Sequence, residues 1–201
     1  MTSQQVFGNY AARSSPCEYL TMAFSPSSAP LRSRWRNNGL SADFLGDYAV
    51  TFLPANGRAA ASGLQNQIRH AVTYIANELL ENAMKYHERD VEIPIQIHLE
   101  LSSDHITVSV GNGIGVGQAQ RYQAFIENLI EGDAAALLLR QQQENATCSD
   151  EAISCLGLLT MVCDYDARLG WLFDAYAEKP GALTVTTSAV LQLHTLPGAS
   201  A

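Results

Sequence analysis

The stretch Asn77-Glu78-Leu79-Leu80-Glu81-Asn82-Ala83-Met84-Lys85-Tyr86 decides how the rest of the chain is read. It closes a long periodic run. Leu64, Ile68, Val72, Ile75, Leu79 and Ala83 recur at spacings of three and four, which predicts one helix with an apolar stripe from about Ala60 to His87. On that helix Glu78, Asn82 and Lys85 share a face, and Tyr74 continues its polar edge. A carboxylate, an amide oxygen and an ammonium in one row suit a metal–phosphate site. Mg2+ prefers oxygen ligands and takes few from protein, so Asn82 can supply one. Glu78, one turn away, can orient or deprotonate an attacking hydroxyl. The same row also describes a solvated face with a Glu81–Lys85 pair, worth about 0.3–0.5 kcal/mol.

Downstream, Ile93 to Leu101 and Ile106 to Val110 alternate in period two across the turn Ser102–His105, a hairpin signal. Gly111-Asn112-Gly113-Ile114-Gly115-Val116-Gly117 reads as a flexible loop in which a ligand can approach backbone closely. Helices are expected over about Gln118–Ile130 and Asp133–Gln143, a polar loop over Glu144–Ser154, and a buried helix over Leu156–Asp164. Strands over Leu169–Ala175 and Leu183–Leu193 close the domain. Upstream, Tyr19–Phe24 reads as a strand. Leu31–Arg36 alternates, with Arg32, Arg34 and Arg36 on one face of a charge-blunted edge strand or partner-docking edge. Asn38-Gly39 marks a break, Ser41 an N-cap, and Phe44, Tyr48 and Phe52 a short helix ended by Pro54 and Gly57. This order predicts an α+β two-layer sandwich, a mostly antiparallel sheet with helices on one face. The expected division is an N-terminal extension over 1–17, one domain over 18–195 and a tail over 196–201. Trp35 and Trp171 are expected core anchors.

Composition narrows the function. The 201 residues are 47% hydrophobic and 16% charged, too apolar for disorder. The formal charge of −8 is a poor match for nucleic acid or an anionic membrane surface. No apolar run approaches the ~20 residues of a membrane span. The first residues carry no charged segment followed by an apolar block, so a cytoplasmic protein is expected. Cys17, Cys148, Cys155 and Cys163 form no CxxC pair, and the histidines are not grouped at ligand spacing; idle reduced thiols are expected.

A third motif, Ser154-Cys155-Leu156-Gly157-Leu158-Leu159, stands at a predicted helix start, where backbone N–H groups attract phosphate. An ExxxNAxKY helix, a strand ending in NGxG and an LGL helix start, in that order, resemble the GHKL ATP-binding superfamily over about Leu64 to Leu193. That superfamily includes histidine kinases, anti-sigma-factor serine kinases, gyrase and chaperone ATPases. With no phospho-acceptor histidine helix ahead of the domain, the chain resembles more closely the stand-alone anti-sigma-type or SiaB-type serine/threonine kinases. The resemblance implies a Bergerat fold that binds ATP and Mg2+. It implies phosphorylation of Ser or Thr on a small regulatory partner, within a bacterial partner-switching system that also holds a metal-dependent serine/threonine phosphatase. A homodimer is compatible with it; nucleic acid and membrane are not expected partners. Carried over by position, Asn82 is the Mg2+-binding asparagine and Glu78 the general base. Lys85 approaches phosphate. Asn112, Gly113 and Gly115 belong to the adenine loop, and Gly157 to the phosphate loop. Two positions depart from the pattern: Gly111 stands where the adenine-binding aspartate belongs, and Cys155 at a loop glycine. With Asn112 or a water in the aspartate's place, nucleotide binding is kept; otherwise the chain is a nucleotide-independent docking module.

Overall fold

The periodic run forms helix α2, Ala59–Lys85, in the computed structural model, which describes residues 4–10, 18–25, 31–52, 59–88, 92–147, 156–176 and 182–194. Ile68, Val72, Ile75, Leu79 and Ala83 are buried as the stripe requires, and so are Ala71, Ala76, Leu80 and Met84. The apolar arc is this wide because α2 packs on two sides: helix α1, Leu31–Thr51, covers one, and the sheet covers the other.

The sheet has six strands: β1 (Gln5–Gly8), β2 (Glu18–Phe24), β3 (Ile95–Leu101), β4 (His105–Ile114), β5 (Arg168–Ala175) and β6 (Leu183–Gln192). All pairings are antiparallel, in the order β1-β5-β6-β4-β3-β2. Cross-strand rows explain why it holds. Met22, Ile97, Val110, Thr187, Trp171 and Phe7 lie opposite one another on one face, and Leu20, Leu99, Val108, Ala189 and Leu169 form the next row. These rows join the helices in one core, and each fully buried large side chain contributes about 1.5–3 kcal/mol. The alternate face carries the polar row Thr21, His98, Ser109 and Ser188. The remaining helices are α3 (Val116–Glu131), α4 (Ala134–Thr147) and α5 (Leu156–Tyr165). The expected two-layer α+β sandwich is the one observed.

Local expectations differ in four places, the briefest being residues 144–147, expected in a loop but part of α4. Leu31–Arg36 is not an edge strand, and Asn38-Gly39 is not a break: both lie inside α1. Asn38 is buried, its Nδ2 donating to Met84 Sδ at 3.3 Å, which ties that part of α1 to α2. The buried face of α1 is Ala42, Leu45, Gly46 and Ala49, so the aromatic row Phe44, Tyr48 and Phe52 points elsewhere. A Cβ at Gly46 would meet Thr73 Oγ1 and the Arg69 carbonyl, so glycine permits the close crossing with α2. Second, residues 5–8, inside the stretch expected to be loose, pair with β5. Third, Gly111-Asn112-Gly113-Ile114 is not a loop. It continues β4, paired with Thr186, Val185, Thr184 and Leu183 of β6. Trp171 is a core anchor, 1% exposed; the side chain of Trp35 and residues 196–201 lie outside what is described.

Candidate functional site

Helix α2 carries the polar row, and two other elements converge on it. Its middle meets α5. The Glu78 carboxyl lies directly over Gly157, where a Cβ would collide with it. Glycine at the first turn of α5 therefore makes room for that carboxylate. Burial pushes the Glu78 carboxyl above its ordinary range, and the Glu81 carboxylate beside it adds to the rise. Glu81 itself accepts from Asn77 Nδ2 at 2.9 Å. One turn before Glu78, the Tyr74 ring stacks on Tyr165 of α5 with centroids 5.2 Å apart, and its hydroxyl hydrogen-bonds Thr160. Burial raises the Tyr74 hydroxyl, an effect the Thr160 bond partly opposes.

The end of α2 meets the glycines of β4. Glu88 N–H donates to the Gly113 carbonyl at 3.0 Å, and Asn112 Nδ2 donates to the same oxygen at 2.9 Å. A Cβ at Gly113 would press on Ile93 and His87, and one at Gly115 would collide with the Glu88 carboxylate. Asn112 is buried on the helix-facing side of β4. Gly111 faces the opposite side, toward Thr186.

Asn82 lies between these two convergences. It is half-buried, and its Nδ2 is buried with no hydrogen-bond partner among the described residues. An unsatisfied buried amide costs about 1–3 kcal/mol unless something arrives to pair with it. The orphaned Nδ2 is a donor, which a phosphate oxygen would satisfy and a cation would not; the oxygens this face offers beside phosphate are Asn82 Oδ1 and the Glu78 carboxylate, of the type Mg2+ takes. Lys85 stands apart: it is exposed, with Nζ 5.2 Å from the centroid of the Tyr86 ring. Tyr86 in turn stacks on Tyr122 of α3, centroids 6.3 Å apart.

The structure thus brings Glu78 to Gly157, and Gly113 and Gly115 to the end of the same helix, while Lys85 turns outward. Arg121 and Arg140 are exposed on α3 and α4. Cys155 lies outside the described residues, and Cys163 is an exposed free thiol. Helix α3 is fastened to the core, with Ala119, Tyr122, Ile126 and Leu129 buried. His87 and Glu88 were not singled out from sequence. Their signal is position alone, directly after the asparagine-bearing helix. A cavity of about 240 Å3 lies elsewhere, between α3 and the β1–β5–β6 end of the sheet, and its lining includes none of the expected site residues.

No family model and no curated protein matches the chain. Among solved structures, it is similar to a chain in the crystal structure of the SiaB–SiaC complex from Pseudomonas aeruginosa. The identity is 19%, the TM-score 0.55, and the match covers 86% of this chain and 89% of the other. At that identity the likeness concerns the fold. No helix among the described residues is long and apolar enough to cross a membrane, and no cluster of His, Cys, Asp or Glu there could hold a metal ion on its own.

Proposed function

We propose that the chain is an ATP-binding regulatory protein that phosphorylates Ser or Thr on a small partner protein in a bacterial partner-switching system, with a metal-dependent phosphatase opposing it. The observation that carries this reading is the double convergence on α2, Gly157 at Glu78 and Gly113 with Gly115 at His87 and Glu88. Three motifs distant in sequence meet along one helix and the residues directly after it. The fold shared with a chain of the SiaB–SiaC complex supports a protein partner for this chain as well.

In this reading Asn82 would hold Mg2+, which supplies neutralisation of phosphate charge. The nucleotide would approach the backbone of Gly113, Gly115 and Gly157 once the His87, Glu88 and Glu78 side chains now lying against them swing aside, and Lys85 would turn back toward the phosphates. Asn112 offers an acceptor beside Gly111. Glu78 takes the proton from the partner's hydroxyl as its oxygen bonds to the γ-phosphorus. The bond to the bridging oxygen breaks and ADP leaves. Positioning and charge stabilisation supply most of the acceleration. A carboxyl raised by burial is a stronger base than an ordinary one, which suits the role.

Incubating the protein with γ-labelled ATP and an extract of its own cells tests this. Transfer of label to a small protein is expected, reduced about 10²–10⁴-fold in Glu78→Gln. Full transfer by that variant overturns the assigned role. The rival reading, a docking module indifferent to nucleotide, draws on the Glu78 carboxylate already seated over Gly157 and on the missing side chain at Gly111. Partner capture unchanged by ATP, ADP or Asn82→Ala would favour it.

A further inference from the structure

The face of the sheet opposite the apolar core rows carries a second group of reactive side chains. Alternate residues of a strand share a face, so His98 and Glu100 of β3 lie side by side on it. The register sets Thr21 of β2 directly opposite His98. A hydroxyl, an imidazole and a carboxylate thus meet, and they are joined in that order. Thr21 Oγ1 lies 2.6 Å from His98 Nδ1, and His98 Nε2 lies 3.0 Å from Glu100 Oε1. His98 and Glu100 are 5% and 7% exposed. Thr21 is exposed, and so are its neighbours on that face, Tyr19 and Ala23.

The order of the bonds places the protons. A carboxylate accepts, so His98 Nε2 carries the proton and donates to Glu100. In the neutral ring Nδ1 is then the acceptor, and the Thr21 hydroxyl donates to it. This is the tautomer that can take a proton from the hydroxyl, which is how a positioned histidine turns a weak alcohol into a nucleophile. Burying an imidazole and a carboxylate costs more desolvation than burying an apolar pair, and an exposed threonine is served by water, so stability alone does not call for this chain of bonds. Thr21 stands on an open strand face, so its electrophile has to bring its own activation. Acyl phosphates and thioesters do; amides do not.

We propose that Thr21 is a covalent modification site, acylated by small activated acyl donors, with His98 as the base and Glu100 positioning it. Thr21 Oγ1 bonds to the carbonyl carbon of the donor as its proton passes to His98 Nδ1. The bond from that carbon to the phosphate oxygen or thiol sulfur breaks, and His98 gives the proton to the leaving group. The acyl ester stays on Thr21. The site lies across the sheet from Asn112 and does not rest on the nucleotide reading.

Acetyl phosphate, incubated with the full chain, is the probe, and tandem mass spectrometry of the peptides locates the acetyl group. An ester on Thr21 is expected. Thr21→Val should lose it, and Thr21→Ser, which keeps a hydroxyl beside the imidazole, should retain it. His98→Gln should slow its formation about 10²–10⁴-fold. Glu100→Gln should slow it too and mix the two His98 tautomers, which the nitrogen NMR shifts of the ring report; a merely structural carboxylate would leave the tautomer unchanged. Circular dichroism checks each fold, and if His98→Gln does not fold, the variants at exposed Thr21 and at Glu100 decide the matter. Acetyl groups on lysines with none on Thr21 overturn the proposal. So does Thr21 acetylation at an undiminished rate in a folded His98→Gln or Glu100→Gln chain.

Discussion

Tyr122→Phe removes one oxygen from the place where α3 is fastened to the sheet. Tyr122 is 8% exposed and Trp171 1%. The tyrosine hydroxyl accepts from Trp171 Nε1 at 2.9 Å and lies 3.4 Å from Thr187 Oγ1, which is also buried. The ring itself packs against Phe173, Phe125 and Tyr86. Phenylalanine keeps that packing and strands the buried indole N–H. Leaving a buried donor unpaired costs about 1–3 kcal/mol. For a domain of this size each kcal/mol moves the unfolding temperature roughly 2–4 °C, so a fall of about 4–8 °C is expected for a loss of ~2 kcal/mol. Differential scanning calorimetry reads it directly. Trp171→Phe removes the donor and leaves a cavity, and the double variant should be less damaging than the sum of the two, since the stranded N–H is then absent. A Tyr122→Phe shift below about 1 °C, or strict additivity of the pair, would refute the reasoning.

Three further outcomes follow from the geometry. Gly157→Ala sets a methyl against the Glu78 carboxyl and should cost about 1–3 kcal/mol by thermal melt, and Glu78→Ala in the same chain should recover most of that loss; no recovery would mean the two residues do not touch. Gly46→Val presses on Thr73 and on the Arg69 carbonyl, so a loss of similar size is expected from separating α1 and α2, and an unchanged melting temperature would contradict the close crossing. Because the Glu78 carboxyl is raised from 4.5 in the fold, the folded state binds more protons than the unfolded chain just above that pH. Stability therefore falls as pH rises through the window between the two values, and Glu78→Gln should flatten that part of the melting-temperature profile. An identical profile in the variant would show that Glu78 is not its source.

Much of this architecture is legible in the sequence because period and burial agree. The stripe from Ile68 to Ala83 becomes the buried face of α2, and the alternation in Ile95–Leu101 becomes the inner face of β3. Where reading and structure part, a local signal was overruled by tertiary pairing. Four glycines within Gly111–Gly117 suggest a loop, yet β6 supplies partners for the backbone of Gly111 to Ile114, and cross-strand hydrogen bonds do not depend on side-chain propensity. Asn38-Gly39 suggests a turn, but burial of Asn38 against Met84 and the crossing at Gly46 hold α1 continuous. The alternating arginines imitate a strand only because helical and strand periods cannot be told apart over so few residues. A four-residue edge strand such as Gln5–Gly8 has too little pattern to be seen. In the candidate site, motif points to Glu78, Asn82, Gly113, Gly115 and Gly157. It does not point to His87 and Glu88, whose contacts with Gly113 and Gly115 depend on where β4 ends.

The central claim is that the Asn82 face of α2 binds Mg-ATP, and thermal unfolding with and without millimolar Mg-ATP and Mg-ADP tests it most directly. Nucleotide at about 100 times its dissociation constant adds ~2.7 kcal/mol, a rise of roughly 5–10 °C for a chain of this length. The account predicts that rise, its loss when EDTA removes Mg2+, and its loss in Asn82→Ala. No shift with either nucleotide, or an equal shift in Asn82→Ala, would contradict it.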